Sequence, residues 1–186
     1  MAHLLDHALE SDNDSLRDSR GSSNNGYYDS TDASATSDEI AYQQFLSILS
    51  MDPIIIKRLR EMGPEYFGNR ESAFAELQIK ALGRPDSTPQ SFYVHREYLV
   101  SQSRYFVKLF KMLKNDNSPI NIEIPSPETF EPLLEYLYTG NGDKWYDTIT
   151  LENYEEVYEN IKYLGLKLDV KKIWLDFYNS QVGISE

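Results

Sequence analysis

Histidines are the side chains of this sequence whose type and spacing could do chemistry. His3 and His7 lie four residues apart with Asp6 between them, which could bring three ligands to one metal ion. His95, next to Arg96, could act as a general base if a partner oriented its ring. We interpret the first group as a chain terminus that cannot hold ligands in place. We expect His95 to be a buried structural residue whose ring bonds to backbone.

Catalytic motifs give no further support for an enzyme. The sequence has no Gly-rich phosphate loop, no nucleophile elbow and no paired metal-ligand spacing outside the terminal residues. It has no cysteine, which excludes thiol catalysis, disulfides and cysteine-ligated metals. We therefore predict a protein that is not an enzyme, with no catalytic, cofactor-binding or metal site.

Composition limits the classes of partner. The 186 residues carry a net charge of −12, which argues against a surface that neutralises nucleic-acid phosphates. No apolar run approaches the ~20 residues of a membrane helix, and the acidic N-terminus does not resemble a signal peptide. We expect a cytoplasmic or nuclear protein that binds neither nucleic acid nor membranes.

The elements around His95 change from strand to helix. Phe92 to Val94 are aromatic or β-branched residues that suit a strand. From Tyr105 the apolar spacing is helical, and either Ser101 or Ser103 can cap that helix. His95 is therefore expected at the point where a sheet joins a helical cluster.

Two further segments predict the rest of the sheet. Phe74 to Leu82 alternates apolar and polar residues, and a proline-marked loop returns it to the strand before His95, so these two should pair antiparallel. Ile120 to Ile124 has strict period-2 alternation. Helical patterns precede and follow these strands, which predicts an α+β fold with a small mixed β-sheet.

The helical patterns also predict where several helices begin and end and how Trp145 and Tyr146 are placed. A helix starting at Pro53 should stop at Gly63 and Pro64. Thr150 and Asp169 are expected to cap the last two helices. Trp145 and Tyr146 are predicted either to form an exposed contact site or to pack over those helices.

Three regions divide the chain. Residues 1–37 form an acidic tail rich in Ser, Asp and Asn, which we predict to be disordered because it cannot bury enough apolar surface. Residues 38–180 form the folded domain with an N-terminal helical extension, and residues 181–186 should fray.

Two sequence landmarks carry a family resemblance. Val94 to Phe106 reads VHREYLVSQSRYF, and Leu133 to Gly140 reads LLEYLYTG. Both resemble the BTB/POZ domain family, which implies a helical cluster capped by a short sheet and a function in protein–protein interaction. The positions that match the family's structural signature are His95, Ser103, Phe106, Tyr138 and Gly140.

The resemblance also implies interaction sites. Glu76 and Arg96 match an acidic and a basic position that form a charged pocket in the family. Family members form homodimers through the segment before the first strand, so we expect a homodimer. The apolar residues of that segment, which could instead fold back on their own domain, are Tyr42, Phe45, Leu46, Leu49, Ile55, Leu59 and Met62.

Many family members bind a cullin scaffold as substrate adaptors of a ubiquitin ligase. The matching partner loop here contains Met112, Leu113, Lys114 and Asn115, and it lacks the Glu often found there. A cullin adaptor therefore remains an alternative to a general module for self-association and partner recruitment. A transcriptional cofactor is a further alternative, although the strongest basic cluster in the chain is only Lys171-Lys172.

Overall fold

Three strands form one small mixed sheet in the computed structural model, which describes residues 53–113 and 118–183. Strand β1 (Ala75–Ala81) lies in the middle, between β2 (Gln90–Val94) and β3 (Ile120–Ile124). It pairs antiparallel with β2, placing Leu77 opposite Phe92, and parallel with β3, placing Ile79 opposite Ile122. The predicted hairpin and the mixed sheet are confirmed.

The strands bury alternate residues, as their period-2 patterns require. Leu77, Ile79 and Ala81 of β1 are buried, whereas the residues between them are half-buried on the other face. In β3, all three isoleucines are buried and the two polar residues are exposed. The apolar face of the sheet is covered by helices, which is the α+β arrangement expected from the sequence.

Seven α-helices are present in the described ranges, together with two short irregular ones. A 3-10 helix (Pro127–Thr129) leads into the fourth α-helix, and a π-helix (Tyr178–Val182) follows the last. The α-helices are α1 (Pro53–Tyr66), α2 (Arg96–Val100), α3 (Arg104–Met112), α4 (Phe130–Thr139), α5 (Gly142–Tyr146), α6 (Tyr154–Tyr163) and α7 (Leu168–Phe177).

Helix α4 lies at the centre of the core. Six of its ten residues are buried, and it packs against α1 and α5. It ends at Gly140, whose φ of 67° is the left-handed conformation that glycine adopts without strain. The buried residues of α4 are Phe130, Leu133, Leu134, Tyr136, Leu137 and Tyr138.

Helix α1 continues past its predicted end. Pro64 lies inside the helix, which ends at Tyr66. Gly63 is buried against α4, where a Cβ atom would lie only 2.1 Å from the carbonyl oxygen of Tyr138. The glycine therefore serves the close approach of two helices rather than a helix end, and the predicted stop was wrong because packing outweighs local propensity.

The last two helices begin at other residues than predicted. Asn153, not Thr150, is the N-terminal flanking residue of α6, and its Oδ1 atom accepts a hydrogen bond from the amide of Thr150. Lys167 precedes α7, so Asp169 lies within the first turn. An acidic residue is favourable there because of the helix dipole.

Some predictions fall outside the described residues. These include the tail at residues 1–37, the helix with Tyr42, Phe45, Leu46 and Leu49, and the loop positions Lys114 and Asn115. Within the described ranges, no helix has the length and apolarity needed to cross a membrane.

Candidate protein-interaction surfaces

His95 is buried and bonded on three sides. Its Nε2 atom lies 2.9 Å from the hydroxyl of Ser72, and its Nδ1 atom lies 3.0 Å from the hydroxyl of Tyr138. Its backbone N–H donates to the same Tyr138 oxygen at 2.7 Å. Burial was predicted correctly, but the ring partners are two hydroxyl groups rather than backbone atoms.

Aromatic rings complete the surroundings of His95. Three tyrosine rings lie edge-to-face with its imidazole. The distance between ring centroids is 5.1 Å for Tyr66, 6.2 Å for Tyr98 and 5.8 Å for Tyr138. Tyr98 and Tyr138 stack on each other at 4.1 Å. Burial lowers the pKa of His95 and raises the pKa of Tyr98 to about 12, so both groups stay neutral near pH 7. This arrangement fits a structural residue.

The other signature residues also have structural contacts. Ser103 accepts a hydrogen bond from the amide of Phe106 at 3.2 Å, which caps α3, and it donates to the carbonyl of Leu164 at 2.6 Å. Phe106 is fully buried in the core. Ser103 therefore joins α3 to the end of α6 as well as starting α3.

Arg96 lies against aromatic rings. Its guanidinium lies over the ring of Phe74, 3.8 Å from the centroid, and 6.0 Å from that of Phe110. Glu76, the acidic position of the implied pocket, lies on β1 opposite Tyr93. The Glu76–Arg96 pocket stays a prediction, and the contact seen for Arg96 is stacking on an aromatic ring.

The apolar residues of α1 differ in their exposure to solvent. Ile55 and Leu59 are half-buried and pack against the core of their own domain. Met62 is 44 % exposed and Ile54 is 64 % exposed. Of the predicted apolar stripe, the inner residues therefore stabilise this domain, and Met62 remains on the surface.

Apolar residues at the end of α3 and in α5 also differ in their exposure to solvent. Met112 is 75 % exposed, and Leu113 beside it is half-buried. Trp145, by contrast, is buried and stacks on Tyr136 at 5.0 Å, while Tyr146 packs edge-on against Phe177. The exposed contact site at Trp145 is therefore wrong, and the packing alternative is confirmed.

Arg60 forms a connection that the sequence does not reveal. Its Nη2 atom donates to Gln102 Oε1 and to Asp169 Oδ2, both at 2.8 Å, which links α1 to α7 and to the turn before α3. Tyr136 also donates to Asp169, at 3.3 Å. Beside Arg60 lies a cleft of about 670 Å³ lined by Lys57, Glu61, Thr139, Lys167, Asp169 and three others. Gln102 and Asp169 lie 42 and 109 positions after Arg60, so no local sequence pattern indicates that they are its partners.

No group of three potential metal-ligating side chains occurs in the described ranges. The described part of the chain is a small mixed sheet under a helical cluster, with a buried histidine at their junction and exposed apolar residues on the surface.

Comparison with protein families identifies the class of this domain. The chain matches the sequence model of the BTB/POZ domain over residues 79–176, more than half of its length. It belongs to the BTB/POZ domain family, which is a family of protein-interaction domains and not of enzymes.

Proposed function

We propose that this chain self-associates through α1 and recruits partner proteins through the end of α3. The observation that carries the proposal is the exposure of large apolar side chains on α1. Ile54 and Met62 are exposed, although other residues of the same helix pack on α4. Burying such residues against a second copy removes apolar surface from water at about 25 cal/mol per Å².

Analytical ultracentrifugation of the full chain tests self-association. We expect a particle of twice the 21.6 kDa chain mass at micromolar concentration. Because acidic side chains in an apolar contact are costly, Ile54→Asp with Met62→Asp should weaken this association at least about tenfold. A wild-type chain that stays monomeric, or a double variant that associates normally, would contradict the proposal.

A matched control separates a local effect from a general loss of apolar surface. Leu151 is 62 % exposed in the turn before α6, so Leu151→Asp makes the same kind of change elsewhere. It should leave the particle mass unchanged. Circular dichroism should show all these variants folded.

A cullin scaffold is the second candidate partner, favoured by the exposure of Met112. This residue is 75 % exposed at the end of α3, beside the loop where the family resemblance places a cullin contact. Binding of a purified cullin N-terminal domain at tens of micromolar, lost in Met112→Asp and kept in Leu168→Asp, would support an adaptor role. Absence of binding would contradict the adaptor role, and the proteins recruited through α3 would then be other than a cullin.

A further inference from the structure

Helix α3 carries an exposed basic stripe on a strongly acidic protein. Arg104, Lys108 and Lys111 are exposed at positions i, i+4 and i+7, which lie along one side of a helix. The helix contains no acidic residue, although the chain carries a net charge of −12. None of the ion pairs in the described ranges involves these three cations.

Helix α6 carries the complementary stripe. Glu155, Glu156 and Glu159 are exposed along it. Within the chain, Glu155 accepts a hydrogen bond from the hydroxyl of Tyr154, and Glu159 lies 3.9 Å from Lys162 in an exposed pair. Such exposed pairs stabilise by about 0–1 kcal/mol, so the carboxylates can exchange them for other cations.

Helices α3 and α6 approach each other at one point, and the acidic residues of α6 lie about one to two turns before it. The rings of Tyr105 and Tyr163 are 5.4 Å apart, and the amide of Arg104 donates to the carbonyl of Gly165 at 3.2 Å. The start of α3 therefore lies beside the end of α6. Lys111 is seven residues further on, about 10 Å along the helix at 1.5 Å per residue.

We propose that the α3 stripe of one copy binds the α6 stripe of a second copy, and the reverse, through a surface separate from α1. A basic and an acidic stripe on the same chain can be self-complementary about a two-fold axis, since each then meets its opposite in the partner. Tyr163, 38 % exposed at the end of α6 beside the start of α3, supplies aromatic surface for such a contact. Local complementarity is needed because two chains of net charge −12 otherwise repel each other.

A charge-swap experiment tests this contact in the full chain. All variants carry Ile54→Asp and Met62→Asp, so that association through α1 does not contribute. In this background, Lys108→Glu with Lys111→Glu should weaken self-association at least about tenfold, and Glu155→Lys with Glu156→Lys should do the same, because like charges then face each other. An equimolar mixture of the two charge variants should recover the particle mass of the background chain.

Restoration in the mixture is the decisive outcome. Charge reversal that merely damaged each chain would leave the mixture dissociated, which would overturn the proposal. A background chain that is monomeric at 100 µM would also overturn it, whatever α1 does. Lys171→Glu with Lys172→Glu is the control, because it makes the same change of charge at exposed residues of α7. This variant should associate like the background chain. If it loses association, the effect of charge is nonspecific, which would contradict the α3–α6 contact.

Discussion

The hydroxyl of Tyr138 lies 3.0 Å from Nδ1 of His95 and accepts the backbone N–H of His95 at 2.7 Å. One side chain of α4 thereby holds both the ring and the backbone of the residue that joins β2 to α2. Because the Tyr138 oxygen accepts the backbone N–H, its own proton can be donated to Nδ1, which leaves Nε2 as donor to Ser72. Helix and sheet are linked at this point by buried hydrogen bonds.

Tyr138→Phe should therefore destabilise the domain. The change removes the acceptor of a buried amide and leaves it unpaired, which costs about 1–3 kcal/mol. Urea unfolding should show this as a lower midpoint. Tyr146→Phe is the matched control, because the hydroxyl it removes bonds Ser180 at the exposed surface; its effect should be within about 0.5 kcal/mol. Equal effects of the two changes would contradict a special role for Tyr138.

Stability should fall as the pH is lowered below about 6.5. Burial lowers the pKa of His95 in the folded state, whereas an unfolded chain has the ordinary value of about 6.5. The unfolded state then binds more protons below that pH, so folding becomes less favourable until the folded-state pKa is reached. Urea unfolding between about pH 7.5 and 5.5 measures this.

Removing His95 provides the control for this pH dependence. His95→Gln should be less stable at pH 7.5 but should lose the part of the pH dependence that arises near 6.5. His95→Ala should likewise lower the melting temperature, because Tyr138 and Ser72 lose their ring partner. If His95→Gln keeps the full pH dependence of the unfolding free energy, that dependence comes from other titratable groups.

Gly63→Ala should separate α1 from α4. The new Cβ would lie 2.1 Å from the carbonyl oxygen of Tyr138, so backbone must move. Overpacking of this kind costs about 1–3 kcal/mol, although glycine to alanine inside an exposed helix is normally stabilising. Thermal unfolding measures the difference, and Glu65→Ala on the exposed side of α1 should be nearly neutral. A stabilised Gly63→Ala would show that the helices can move apart without loss.

Gln102→Leu should cost more than Asp169→Asn, although both side chains bond Arg60. Gln102 is buried, and its Nε2 atom donates to the carbonyls of Leu137 at 2.6 Å and Tyr98 at 3.1 Å. Leucine would leave buried acceptors unpaired, at about 1–3 kcal/mol. The Arg60–Asp169 pair is partly exposed and should contribute about 1 kcal/mol or less. Chemical denaturation of both variants tests this order, and the reverse order would contradict it.

The sequence by itself determined the local elements and the family. Period-2 alternation located β1 and β3, and the change of period after His95 located the junction of sheet and helices. Ser101 and Ser103 were the two candidate caps of α3, and the structure shows that Ser103 is the cap. These features depend on neighbours within about four residues, which a sequence pattern records directly. The landmarks near His95 and Tyr138 carried the family resemblance for the same reason.

Only the tertiary structure decided which distant residues meet. Tyr138 is 43 positions from His95 and Asp169 is 109 positions from Arg60, and no local period relates such pairs. Gly63 suited a helix end by propensity, yet packing against α4 determined its role. Arg96 lies over Phe74, 22 positions earlier in the chain, and it is strand register and burial that bring these two side chains together.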